Sequence, residues 1–155
     1  MNIYMQKAIQ EAHKGIQKLE GGPFGACVIQ KGKILATAHN TVLKAQDSTC
    51  HAEMNAIRQA CRKLKTWDLS GCEIYSTTEP CPMCFSAIHW ARLTAVYFGT
   101  AIQEVKRRGF NELNIPSESK KKTGGSPVHI IGGLMRNECL DILKAWDKLK
   151  SKPTY

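Results

Sequence analysis

Two short segments constrain the fold of this chain more than any other feature: H-A-E at 51–53 and P-C-P-M-C at 80–84. The first offers an imidazole and a carboxylate, and the second offers two thiols three residues apart. One His and two Cys side chains give zinc three protein ligands and leave a fourth position for water, whereas a structural zinc site uses four protein ligands. The fold must therefore bring the two segments together around one Zn²⁺ ion per chain, with three ligands: His51, Cys81 and Cys84.

Glu53 is left over by this assignment and is the candidate catalytic residue. A carboxylate beside a zinc-bound water is the arrangement that hydrolysis requires, because zinc lowers the pKa of its water from about 15.7 to about 7 and the carboxylate accepts the proton. The alternative is a zinc-binding scaffold without turnover. We disfavour it because a structural site has no use for a carboxylate that does not bind the metal.

The local structure expected around both segments suits a metal site. Each segment opens a predicted helix, at 51–64 and at 81–91, where the helix dipole favours negative charge and lowers the pKa of a thiol. Positions i and i+3 share one helix face, so both sulfurs can reach one ion. A lone Cys-x-x-Cys also occurs in redox pairs and zinc ribbons, but a ribbon needs a second pair and a redox pair needs no His-x-Glu upstream.

Apolar periodicity predicts helices and strands along the whole chain. Further helices are expected at 3–19, 102–108 and 138–150, and strands at 24–30, 34–39, 72–77, 94–99 and 128–131. Alternating helices and strands favour a sheet that is covered on both faces. The stretch 109–127, rich in Gly, Pro, Ser and Lys, is expected to be an irregular loop or lid.

Length and composition indicate one domain, 1–155, that ends in a helix and tail at about 136–155. No apolar run approaches the roughly 18 residues of a membrane helix, and the N-terminus lacks an export pattern, so we expect a cytoplasmic protein without a membrane partner. Seven cysteines, an odd number, argue against a disulfide framework. Four of them are expected in the core: Cys27, Cys61, Cys72 and Cys139.

The chain carries a net charge of +9, from 22 basic and 13 acidic residues. A charge of this size can attract nucleic acid. Much of it, however, is concentrated at 120–122 and 144–152, and both stretches are typical of solvated surface.

The spacing H-x-E followed by P-C-x-x-C resembles the zinc-dependent nucleobase deaminases of the cytidine deaminase-like superfamily. The resemblance extends from about residue 21 to residue 99. It implies an α/β fold, a three-layer α-β-α sandwich with a central mixed sheet, and usually a homodimer. It also implies hydrolytic deamination, in which water attacks a ring carbon that carries an amino group, Glu53 transfers protons to the ring nitrogen and the departing amine, and ammonia leaves.

Within that superfamily, the segments 21–26, 79–84, 87–92 and 108–112 are similar to guanine deaminases. The Lys-rich C-terminus closed by Tyr155 also resembles that branch, which implies conversion of guanine to xanthine and a small purine substrate. The resemblance implies substrate-binding roles for Asn40 on the purine edge, Phe24 and His51 beside the ring, Ala52 and Trp90 in the pocket, Glu112 on ring N–H groups (where the family more often has Asp), and Tyr155 closing the site.

Two other substrates stay open. The segment 128–134 and the Asn-Glu-Cys at 137–139 are more similar to tRNA adenosine deaminases, which convert adenosine to inosine, and the positive charge suits tRNA as a partner. Deamination of cytosine or a nucleoside is the third possibility. The implied substrate contacts also have ordinary structural alternatives, since aromatic residues often only fill the core and a terminal tyrosine is often disordered.

Overall fold

A computed structural model describes residues 2–155. In this part of the chain the helices and strands follow one another as α1 (Ile3–Lys18), β1 (Gly25–Gln30), β2 (Lys33–His39), α2 (Val42–Ala45), α3 (Ala52–Leu64), β3 (Cys72–Thr78), α4 (Pro82–Trp90), β4 (Ala95–Thr100), α5 (Ile102–Lys106), α6 (Ser117–Gly124), β5 (His129–Ile131) and α7 (Arg136–Asp147).

The five strands form one mixed sheet in the order β2-β1-β3-β4-β5. Strand β1 is antiparallel to both β2 and β3, whereas β3, β4 and β5 are parallel to one another. Lys31 and Gly32 join β1 to β2 with φ values of 47° and 75°, as a tight hairpin turn requires. Since β2 and β3 both run opposite to β1, their C-terminal ends lie at the same edge of the sheet.

Alternating residues of β1 point to opposite faces of the sheet. Ala26 and Val28 pack in a core cluster with residues of α3 and α4, whereas Cys27 and Ile29 pack with residues of α1. Helix α1 packs closely against the backbone of β1. The approach requires the glycine at position 25, since a Cβ atom there would come within 2.0 Å of the Ala8 carbonyl oxygen. The three-layer α-β-α architecture and the mixed sheet are therefore confirmed.

The sequence predicted that the stretch 109–127 is an irregular loop. This prediction is wrong for part of the stretch, because it contains helix α6. This helix has little apolar surface of its own and depends on contacts with the rest of the protein. The Ser117 N–H donates to Glu79 Oε1 at 2.5 Å, and Lys120 Nζ donates to the Pro80 carbonyl at 2.6 Å. Likewise the polar stretch 40–49 contains the single-turn helix α2.

Three of the four cysteines expected in the core, Cys27, Cys72 and Cys139, are buried, while Cys61 is partly exposed. All seven cysteines are free thiols. No helix among residues 2–155 combines the length and the apolarity needed to cross a bilayer. The expected cytoplasmic location and homodimer stay predictions.

Candidate active site

The three expected zinc ligands come together at the sheet edge where β2 and β3 end. His51 is the N-cap residue of α3, which follows β2, and Cys81 is the N-cap residue of α4, which follows β3. Cys84 lies in the first turn of α4, where its backbone N–H donates to Cys81 Sγ at 3.5 Å. The predicted helices therefore begin one residue later than expected, and the residues that precede them supply two of the ligands.

The distances within this cluster fit a zinc ion. His51 Nδ1 lies 3.6 Å from Cys81 Sγ and 3.6 Å from Cys84 Sγ, and all three ligand atoms lie within 4.8 Å of one another. Tetrahedral geometry with ordinary Zn–N and Zn–S bonds predicts about 3.6 Å for each N···S separation. The side chains are thus positioned as zinc ligands without rearrangement, with a fourth position left for a small molecule.

The two cysteines of the cluster differ in acidity, because their pKa values are shifted in opposite directions. Hydrogen bonds from the Cys84 thiol and from His51 outweigh burial and lower the pKa of Cys81 to about 4. The same contact with Cys81, together with burial, raises the pKa of Cys84 well above its ordinary value. Burial lowers the pKa of His51, but its hydrogen bond with Cys81 and the charge of Glu53 raise it more strongly.

Glu53 lies in the first turn of α3 and is only 6% exposed. Its Oε1 accepts a hydrogen bond from the Ser76 hydroxyl at 3.2 Å. Burial raises the pKa of this carboxyl, which is the usual way in which a glutamate becomes suited to proton transfer near neutral pH. Glu53 lines the same small pocket as His51 and Cys81.

Two adjoining pockets lead from this cluster to the surface. The inner pocket is lined by Phe24, Asn40, His51, Glu53, Thr78, Glu79, Cys81 and Glu112. The outer pocket, with a cavity volume of about 260 Å³, shares three of these side chains and is also lined by Phe110 and Tyr155. The structure therefore brings five of the expected substrate contacts into one cleft with the metal ligands: Phe24, Asn40, His51, Glu112 and Tyr155.

Tyr155 and Asn40 both line the cleft and are hydrogen-bonded to each other. Asn40 is fully buried, and its Oδ1 accepts hydrogen bonds from the Tyr155 hydroxyl at 2.5 Å and from the Val42 N–H at 3.1 Å. The Tyr155 hydroxyl also accepts from the Gly22 N–H at 2.8 Å. The Asn40 Nδ2 group is buried and has no hydrogen-bond partner within residues 2–155, so it has a donor to offer a ligand.

Glu112 lines the inner pocket together with Glu53. Burial, with a smaller contribution from the nearby Cys81 thiolate, raises its pKa to about 7. The aromatic side chains beside it pack on one another, because Phe110 makes edge contacts with both Phe24 and Tyr155 at centroid distances of 5.2 and 5.8 Å.

Two of the residues expected to contact substrate have side chains that do not line the cleft. Trp90 is 78% exposed and lines a surface groove with Trp67 and Arg92. The reason is its position at the last residue of α4, whereas the metal ligands lie at the first turn of that helix. Ala52 is fully buried in the core cluster beneath α3. Within this chain, neither side chain lines the two pockets of the cleft.

The profile of the cytidine and deoxycytidylate deaminase zinc-binding region matches residues 2–100. The chain belongs to this family. It is a zinc-dependent deaminase, an aminohydrolase that cleaves a C–N bond with water.

Individual deaminases of known activity resemble the chain over nearly its full length. It is 34% identical to a guanine deaminase from Bacillus subtilis (strain 168), over 98% of this chain and 97% of the relative. It is 37% identical to a tRNA-specific adenosine deaminase from the same strain, over 93% and 86%. A solved guanine deaminase structure from Nitrosomonas europaea has a TM-score of 0.86 at 27% identity, over 94% and 84%. The chain therefore resembles guanine deaminases and a tRNA-specific adenosine deaminase to a similar degree.

Sequence reasoning missed three polar residues that support this deaminase site. Ser76 holds Glu53, and Glu79 holds the starts of α5 and α6. The Asn55 amide donates to the carbonyls of His39 and Cys50, at 3.0 and 3.3 Å, and so ties the segment before Asn40 to the segment before the ligand His51. The one indication of their role in the sequence was that they lie near the two motifs. Their contacts form only in the tertiary structure.

Proposed function

We propose that this deaminase acts on guanine, releasing xanthine and ammonia. The observation that carries the proposal is the position of Tyr155 in the lining of the cleft, held by its hydrogen bonds to Asn40 and Gly22. A nucleotide within an RNA needs space for the backbone on both sides of its base. A free base needs no such space, so a cleft narrowed by Tyr155 favours a free base.

The polar groups of the cleft complement guanine. Guanine carries one ring N–H donor next to the carbon that loses its amino group, and Glu112 lines the inner pocket as an acceptor for such a donor. The unpartnered Asn40 Nδ2 offers a donor to the acceptor atoms on the purine edge. Phe24 and His51 line both pockets, where they can flank a flat ring.

Glu53 transfers the protons in this proposal. His51, Cys81 and Cys84 would hold zinc, which would supply an activated water at neutral pH. Glu53 accepts a proton from the attacking water and passes it to the ring nitrogen; it then accepts a second proton from the hydroxyl now on the ring carbon and passes it to the departing amine, so that the C–N bond breaks and ammonia leaves. Ser76 keeps the carboxylate oriented toward the pocket through its hydrogen bond to Oε1.

The second candidate is a tRNA adenosine deaminase. The 37% identity to such an enzyme and the net charge of +9 favour it. In that case the C-terminal residue would have to leave the cleft when RNA binds.

The test is ammonia release by the full chain from guanine, guanosine, adenine, cytosine, cytidine and a tRNA stem-loop with adenosine at the wobble position. The proposal predicts turnover of guanine in strong preference to the others. Turnover of the stem-loop without guanine would overturn it, and would also be expected to fall steeply with salt, because phosphate contacts release counterions.

A further inference from the structure

Glu79 is a buried carboxylate in the inner pocket that the chemistry does not use. It is 7% exposed and lies two residues before the ligand Cys81. Its Oε2 accepts from the Ile102 N–H at 3.0 Å, and its Oε1 accepts from the Ser117 N–H at 2.5 Å. Each oxygen thus accepts one backbone hydrogen bond, which orients the carboxylate toward the two helix starts.

The two donors lie at the first residues of α5 and α6. The loop between these helices, 107–116, carries Phe110 and Glu112, two of the side chains that line the cleft. One carboxylate therefore holds the helix before this loop and the helix after it. We propose that Glu79 is a positioning residue that sets the substrate specificity of the deaminase by fixing the loop that presents Glu112.

Neighbouring contacts strengthen the same connection. Lys120 Nζ, from α6, donates to the Pro80 carbonyl at 2.6 Å and lies 5.4 Å from the centre of the Phe85 ring. Helix starts and an ammonium group are the partners that stabilise a buried carboxylate. The first half of the loop is anchored by Phe110, which is buried in a core cluster, and by the Asn111 N–H, which donates to the Tyr155 carbonyl at 3.1 Å. The second half is exposed, with Leu113 and Ile115 64% and 44% exposed, and so depends on the start of α6. Releasing either helix start should therefore loosen the loop without touching the zinc ligands.

Ser117→Pro is the sharpest test, with Ser117→Ala as its matched control. Proline removes the N–H that donates to Glu79, yet it suits the first position of a helix. Alanine removes the hydroxyl, which contacts the Pro80 carbonyl at 3.5 Å, and keeps the N–H. Glu79→Gln is the complementary variant, because a carboxamide has one acceptor oxygen in place of two. Glu118→Gln removes an exposed charge from the same helix and controls for charge alone.

We expect Ser117→Pro and Glu79→Gln to raise the KM for guanine about tenfold, with kcat changed less than about threefold and one zinc retained per chain. Trypsin should also cut the folded variants faster at 120–122, as fragment masses would show. Ser117→Ala and Glu118→Gln should match the parent protein in both measurements. If Ser117→Pro cannot be told from Ser117→Ala in KM and in cleavage at 120–122, the inference is wrong.

The kinetic part rests on the proposed guanine deaminase function, whereas the cleavage part does not. A parent protein that releases no ammonia from guanine, combined with faster cleavage of Ser117→Pro, would overturn the function and retain the role of Glu79 in holding the loop. Guanine turnover with unchanged KM and cleavage in both Ser117→Pro and Glu79→Gln would retain the function and remove that role.

Discussion

The hydroxyl of Tyr155, the last residue of the chain, lies 2.5 Å from Asn40 Oδ1, so residues 115 positions apart form one wall of the active site. The ring of Tyr155 packs edge-on against Phe110. Tyr155 therefore lines the same cleft as the expected zinc ligands and Glu53.

Replacing Tyr155 with Phe should raise the KM for the base. The variant keeps the ring contact with Phe110 but loses the hydrogen bonds to Asn40 and Gly22, and the loss of a part-buried hydrogen bond weakens binding by about tenfold. Steady-state kinetics on guanine measure this effect. Tyr4→Phe is the control, because its hydroxyl contacts the Gly32 carbonyl on the protein surface, and equal KM values for the two variants would contradict the role of Tyr155.

Replacing Glu53 with Gln should leave the metal in place and nearly abolish turnover. The amide keeps the shape of the buried side chain but cannot accept and return a proton, and general acid–base catalysis is worth about 10²–10⁴-fold in rate. Zinc content per chain and single-turnover ammonia release are the two measurements. A variant that retains zinc and deaminates at close to the parent rate would show that another group transfers the protons.

Zinc binding to the metal-free protein should release protons at pH 7. The pKa of Cys84 is raised by its contact with Cys81 and by burial, so this thiol is protonated without metal and must lose its proton to act as a ligand. Calorimetry of zinc binding in buffers with different ionisation enthalpies counts the protons, and we expect at least about one per chain. Chelation of zinc should abolish deamination, and readdition should restore it. If the measured binding enthalpy does not depend on the buffer, zinc binding releases no protons, and this would contradict the protonated state of Cys84 in the metal-free protein.

Stability should depend on pH through Glu20. Hydrogen bonds from His39 and Lys44 lower its pKa from 4.5 to about 2. A depressed pKa in the folded state means that the stabilisation is complete above about pH 5 and is lost as the pH falls toward 2. Glu20→Gln should reduce the free energy of unfolding at pH 7 by about 1 kcal/mol.

Urea unfolding of Glu20→Gln and of the parent protein at several pH values measures this difference. The gap between them should shrink steadily between pH 5 and pH 2, and comparing the two proteins cancels the effect of metal loss in acid. A gap that is constant over this range would show that the charge of Glu20 is not involved.

Chemistry carried by residue type and short spacing was predictable from the sequence. The zinc ligands follow from one His, two Cys at i and i+3, and the tendency of such ligands to lie at helix starts. The sheet covered on both faces follows from the alternation of predicted helices and strands along the chain. These features depend on neighbours along the chain, and the structure confirmed the ligand cluster and the layered fold.

Contacts between distant segments were decided only by the tertiary structure. Helix α6 forms in a stretch that was expected to be irregular, because Glu79 and Pro80 satisfy groups at 117 and 120. Trp90 had the right residue type for a pocket, but its place at the far end of α4 keeps it out of the cleft. The sequence by itself determined which atoms can hold the metal. Packing of the chain decided which side chains face that metal, since residue type and local periodicity carry no information about where segments far apart in the chain will meet.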